Sequence, residues 1–137
     1  MAIYAVSTPQ ITVNTVDLSA YLKNVTLNYE ADELETTSTG SAGNKSYIAG
    51  LKSWSVDATV NQDFAASKVD ATLFPLIGAA AFAIILKPTS ADVSATNPSF
   101  TGSCILTKYP PLSGAVGEVS TVSFNMRGTG ALTRNVS

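Results

Sequence analysis

The chain has 137 residues, of which 45% are hydrophobic and 13% charged, with a net charge of −2. That is long enough for one domain with a true core. Its charged fraction is about half that of an average soluble domain, a signature of β-rich chains that bury surface in assemblies rather than of isolated monomers. The weak negative balance excludes sequence-specific nucleic-acid binding, which needs basic clusters to meet phosphate, and the absence of histidine removes Ser-His-Asp and Cys-His catalysis and the common zinc sites.

The start, MAIYAVSTPQ, lacks a basic region followed by an apolar core, so no signal peptide is expected. Ile11 to Thr15 reads as a strand and Val16 to Ser19 as a turn. Leu18, Tyr21 and Leu22 are spaced for one short helical turn. Asn24 to Tyr29 alternates, with Val25, Leu27 and Tyr29 on one side and Asn24, Thr26 and Asn28 on the other, a polar but uncharged face. At Glu30 the composition shifts to EADELETTSTGSAGN, with no hydrophobic period. A long flexible loop is expected over 31–44, either solvated or ordered against a neighbouring subunit. Within it GSAGNKS is not a phosphate loop. Two residues rather than four separate the glycines, Asn44 stands before Lys45, and acids precede it. Tyr47 and Ile48 are expected to cover an edge.

Leu51 to Leu86 is the organising stretch. Trp54, Val56, Ala58 and Val60 alternate with Ser53, Ser55, Asp57, Thr59 and Asn61, a strand with one buried face. Ser67 followed by Asp70 predicts a helix start, and Val69, Leu73, Leu76 and Ile77 share a helical face. Pro75 keeps that helix to two or three turns, and Gly78 stops it. Ala79 to Leu86 is continuously apolar, as in a strand buried on both faces. The run from Ala71 is shorter than the ~20 residues a bilayer requires and is broken by Pro75 and Gly78. Pro88 to Pro98 is a polar connector. Ser99 to Lys108 is a strand with Phe100, Gly102, Cys104 and Leu106 on one face, ended by Tyr109-Pro110-Pro111. Leu112 to Gly117 is a turn. The last strong strand, Glu118 to Met126, turns Val122, Phe124 and Met126 inward and Thr121, Ser123 and Asn125 outward. Residues 127–137 read as a polar C-terminal tail, with room for a short edge strand near Ala131 to Thr133. The expected core includes Trp54, Val56, Val69, Leu73, Leu76, Phe82, Ile84 and Phe124. The single cysteine, Cys104, excludes an intrachain disulfide and reads as a buried thiol. The three Asn-x-Ser/Thr triplets, at Asn24, Asn44 and Asn135, carry no weight as glycosylation sites without a signal peptide.

Three segments, VDLSAYLKNVTLNYEADELETT, YIAGLKSWSVDATVNQDF and VDATLFPLIG, carry a likeness by overall pattern, as does PTSADVSATNPSFTGSCILTKYPPLSGAVGEVSTVSF. Across about residues 10 to 127 the chain resembles tail tube (major tail) proteins of long-tailed, non-contractile bacteriophages. The resemblance implies a mainly β fold: a single-domain β-sandwich or barrel over 1–137 with one short flanking α-helix and a long inter-strand loop. It implies a virion protein, assembled in the host bacterial cytoplasm, whose hexameric rings stack into a tube through which double-stranded DNA passes without specific binding. Tape measure, tail terminator and tail-tip proteins are the implied partners. Asp32, Glu33, Glu35, Thr37, Ser41 and Asn44 would belong to a loop reaching the next ring. Asn24, Thr26, Asn28, Thr121, Ser123 and Asn125 are candidates to line the lumen, although these faces carry little charge. A negative wall would need Asp57, Glu118 or the acidic loop.

Three other readings share parts of this signature. A capsid decoration or tail-completion protein would have the same low-charge β composition. A ligand-binding β-sandwich would need an exposed aromatic cluster, for which Tyr47, Trp54 and Tyr109 are the candidates. An enzyme would need a carboxylate pair brought together by folding, since no nucleophile stands beside a base in the sequence. No cofactor or metal is called for.

Overall fold

A computed structural model describes residues 3–137, the Ser41 side chain excepted. The strands are β1 (Gln10–Val13), β2 (Val16–Asp17), β3 (Leu22–Glu35), β4 (Tyr47–Asn61), β5 (Phe82–Lys87), β6 (Ser99–Lys108) and β7 (Thr121–Asn135), with one short helix, α1 (Val69–Leu73). The fold is mainly β. The strands form a single antiparallel sheet in the order β2-β1-β5-β6-β7-β4-β3. The sheet curls on itself. Val25 and Leu27 of β3 face Leu86 of β5 and Phe100 of β6 across a groove of about 150 Å³, beside Tyr4 and Val6. The two edge strands, β2 and β3, do not pair with each other, so the curl stays open.

The inner face carries the core. Trp54, Val56, Ala58 and Val60 from β4 meet Val122, Phe124 and Met126 from β7 and Phe82, Ile84 and Leu86 from β5. Val69 and Leu73 of α1, with Leu76 just after it, are buried in the same cluster. Alternation on β4 and β7 places every second residue inside, because successive side chains of a strand point to opposite faces.

Several expectations are corrected. β5 is buried on one face only: Phe82, Ile84 and Leu86 are inside, and Ile85 is 42% exposed. The sheet's inner face carries the single helix, and the outer side of β5 has no such cover among the described residues. The helix is shorter than expected: after Leu73 the next turn, Phe74–Leu76, tightens to a 3₁₀ turn around Pro75, whose ring cannot occupy an α-helical interior. Ser67 is not its cap. Ser67 has a φ of 62°, and Lys68 stands at the cap position without a side-chain bond. Asp70 instead accepts a hydrogen bond from the Tyr109 hydroxyl at 2.7 Å, and its N–H donates to the Asp63 carbonyl. The first turn comes two residues early, at Asn14-Thr15, both with positive φ.

The largest correction concerns 31–44. β3 runs through the acidic stretch to Glu35 and pairs with β4 as far as Glu35↔Tyr47. The connection is therefore 36–46. Thr36 N–H donates to the Ser46 carbonyl at 2.8 Å, and Ser46 N–H donates to Thr37 Oγ1 at 3.0 Å. Beyond the core both faces of a hairpin are wet, so the apolar alternation that announces a strand disappears while the pairing continues. The expected polar tail, with its short edge strand near Ala131 to Thr133, is instead strand for most of its length. β7 continues to Asn135, paired with β6 through Asn135↔Ser99.

Candidate assembly surfaces

The two uncharged polar faces read from the sequence, on β3 and β7, lie on the same side of the sheet, with β4 between them. Asn24 pairs with Thr59 and Thr59 with Ser123; Thr26 pairs with Asp57 and Asp57 with Asn125; Asn28 pairs with Ser55 and Ser55 with Arg127. Thr121 extends the β7 row opposite Asn61. Asn24, Thr26, Asn28 and Ser123 are exposed, while Thr121 and Asn125 are half-buried. The rows are tied together by side chains: Thr59 Oγ1 and Ser123 Oγ are 2.8 Å apart, and Asn125 Nδ2 donates to Asp57 Oδ1. Cross-strand polar pairs of this kind each contribute about 0.2–1 kcal/mol and hold the side chains in place.

Because β3 continues past Tyr29, its alternation places Glu30 and Asp32 on this same face, after Asn28. With Asp57 they give it a negative row; Arg127 at its end and Lys108, paired with Asn125, are basic residues beside it. Sequence reasoning read the two outer rows and named Asp57 and the acidic stretch as sources of charge, but did not join them into one face through β4. Ser55, Asp57 and Thr59 were legible as a wet face but not as its centre, since strand order is not a local property.

The expected loop residues separate into two places. Asp32, Glu33 and Glu35 belong to β3, and Thr37 and Asn44 to the connection; all are exposed. Ser41 closes the 3₁₀ turn Thr39–Ser41, and its side chain lies outside the described part. β4 loses its β7 partner beyond Ser55↔Arg127, so from there the β3–β4 hairpin projects as a two-stranded arm. An isolated two-stranded hairpin is marginal in water. This one exposes Leu34, Tyr47, Ile48 and Leu51, with Leu34 directly opposite Ile48. Burying a leucine or isoleucine of this kind contributes about 1.5–3 kcal/mol, which gives the arm a reason to dock.

Where the arm departs, Trp54 fills the split between β4 and β7. Its indole N–H donates to the Gly130 carbonyl at 3.1 Å. A Cβ on Gly102 would lie 2.6 Å from the ring, and a Cβ on Gly128 would overlap it. Both glycines are the space the indole occupies. At the opposite end of β4, Tyr109 locks α1 to the sheet by donating to Asp70 Oδ1 and accepting from Gln62 Nε2 at 2.9 Å. Burial, with Asp70 adding to it against the Gln62 bond, raises the phenol to about 12. Burial alone raises the Cys104 thiol to about 12, leaving it unreactive. Among the described residues no cluster of His, Cys, Asp and Glu could hold a metal ion, and no helix is long and apolar enough to cross a membrane.

No protein-family model matches the sequence. No curated protein matches it either. Solved structures do. A chain in the C6-symmetric tail of an empty GTA particle is 16% identical, covers 82% of this chain and 81% of its own, and has a TM-score of 0.66. A chain in the virion of a native gene transfer agent particle is 14% identical over 94% of this chain and 96% of its own, with a TM-score of 0.73. A chain of the sheath/tube terminator of an extracellular contractile injection system is 13% identical over 98% and 97%, with a TM-score of 0.72. At these identities the likeness is one of fold, and it extends over nearly the whole chain. The chain has the fold of components of tail-like particles, both gene transfer agents and contractile injection systems.

Proposed function

We propose that the chain is a structural subunit of a tail-like particle, and that its copies form six-membered rings that stack into a tube with the β3–β4–β7 polar face toward the channel. The observation that carries this is the continuity of that face, from Asn24, Thr26 and Asn28 through Ser55, Asp57 and Thr59 to Ser123 and Asn125. Repeated around a ring, it is a hydrated wall with a negative row. DNA slides along such a wall because few cations are present to hold its phosphates. The unpaired edge of β3 supports the ring. A long open edge is an aggregation hazard unless a neighbour closes it, and a closed ring of sheets has no edge. The likeness in fold to a chain of a C6-symmetric tail supports the six-fold order. The acidic arm, with Asp32, Glu33 and Glu35, reaches the next ring.

Light scattering on a size-exclusion column tests the ring. The reading requires a species of six times 14.2 kDa, or multiples of it, that grows with concentration. A monomer at every concentration would refute self-assembly. A tail terminator is the second reading, favoured by the likeness to a chain of a sheath/tube terminator. It would form single rings that never stack.

A further inference from the structure

The arm is one exposed apolar patch, and a second stands at the opposite end of β4. Tyr47 begins β4 within the arm and Asn61 ends it, a span on the order of 45 Å at strand rise. At the Asn61 end the connection between β6 and β7 projects Leu112, Val116 and Val119, which are 85%, 105% and 75% exposed, and Phe64, three residues past Asn61, is 62% exposed. This connection is a built surface. Ser120 Oγ donates to the Ser113 carbonyl, Glu118 N–H donates to the Ala115 carbonyl at 3.1 Å, and Gln62 fastens the whole to β4. The Gln62 N–H donates to the Ser120 carbonyl at 3.0 Å, and its Nε2 donates to the Pro111 carbonyl at 2.7 Å.

We infer that this loop is the seat for the arm of a second copy: Leu34, Tyr47, Ile48 and Leu51 of one subunit pack on Phe64, Leu112, Val116 and Val119 of a subunit in the adjoining ring. The inference rests on the ring-and-tube reading and names the contact that reading leaves unassigned. Two different apolar patches on one chain satisfy each other only in a heterologous contact, and patches at opposite ends of one strand let that contact repeat from copy to copy along the strand direction. Either patch pairing with itself would give a dimer and stop. The fit is apolar rather than ionic. The arm carries Glu30, Asp32, Glu33 and Glu35 against Lys45 and Lys52, and the loop end carries Asp63, Asp70 and Glu118 against Lys68 and Lys108. Both ends are net acidic, so added salt lengthens stacks by screening repulsion.

The test uses two full-length variants, Leu34→Cys and Val116→Cys, both at exposed positions, with the native Cys104 buried. Each is treated alone and then mixed with the other in the presence of a short bis-maleimide. A cross-linked dimer in the mixture, and none in either variant alone, is expected. Val116→Asp is expected to leave rings intact and to abolish stacking, and raised salt to lengthen wild-type stacks. Rings that stack without the mixed cross-link, or normal tubes from Val116→Asp, would overturn the seat while leaving the ring reading in place. Absence of both rings and cross-link would remove the two together.

Discussion

Trp54 shows how much a single residue can decide. Its ring occupies the positions that side chains on Gly102 and Gly128 would take, and its N–H reaches the Gly130 carbonyl. The sheet can divide into an arm and a body only because β7 offers glycine where the indole lies. Gly128→Ala therefore overpacks the split, and a loss of about 1–3 kcal/mol is expected in urea unfolding. Combined with Trp54→Leu it should cost less than the two changes summed, since the smaller side chain vacates the space. The sequence announced the Trp54 strand by its alternation, but the role of the glycines was invisible. Gly128 meets Trp54 just past the last β4–β7 pair, across more than half the chain.

Cys104 and Tyr109 make stability depend on alkaline pH. Their folded-state values of about 12 lie above the ordinary 9.0 and 10.0, so the folded chain holds both protons to higher pH than the unfolded chain does. Stability from this source is complete below about pH 9 and is lost as pH rises through the window to about 12. Urea midpoints measured at about pH 8 and about pH 11 are expected to fall, and Tyr109→Phe is expected to lessen the fall, at the cost of leaving Asp70 without its donor.

Among the elements, those packed on the core could be read and those beyond it could not. β4, β6 and the first half of β7 alternate because one face is dry. The arm and the second half of β7 have two wet faces, and the same period-two geometry leaves no trace in residue type. β5 misled in the opposite direction. Its continuous apolar run promised two buried faces, yet Ile85 and, on β6, Ile105 are 42% and 40% exposed. Among the described residues that face has no apolar cover over Ile85 and Ile105. The arm is the element whose removal is most informative. Joining Glu30 directly to Ser53, which are paired, through an Asn-Gly turn deletes the projecting hairpin and keeps the register of the body. That variant is expected to unfold at nearly the wild-type midpoint and to form rings, but not stacks, when examined by sedimentation velocity. Wild-type stacking would take the arm out of the mechanism.

At the scale of the molecule, one curled sheet has distinct surfaces: a dry inner face, a polar outer face on β3–β4–β7, an open edge at β3, and an apolar patch at each end of β4. The polar rows on β3 and β7 were legible singly. Their union was not, because it depends on β4 standing between them, and the negative row of Glu30, Asp32 and Asp57 depends on β3 being twice as long as its alternation shows. The central claim is that these surfaces are complementary between copies: edge to neighbour within a ring, end to end between rings, polar face toward the channel. Negative-stain electron microscopy of the purified chain across a concentration series tests it most directly. The account predicts six-fold rings that give way to hollow tubes as concentration rises. Particles of single-subunit size throughout, or solid fibrils without a channel, would contradict it.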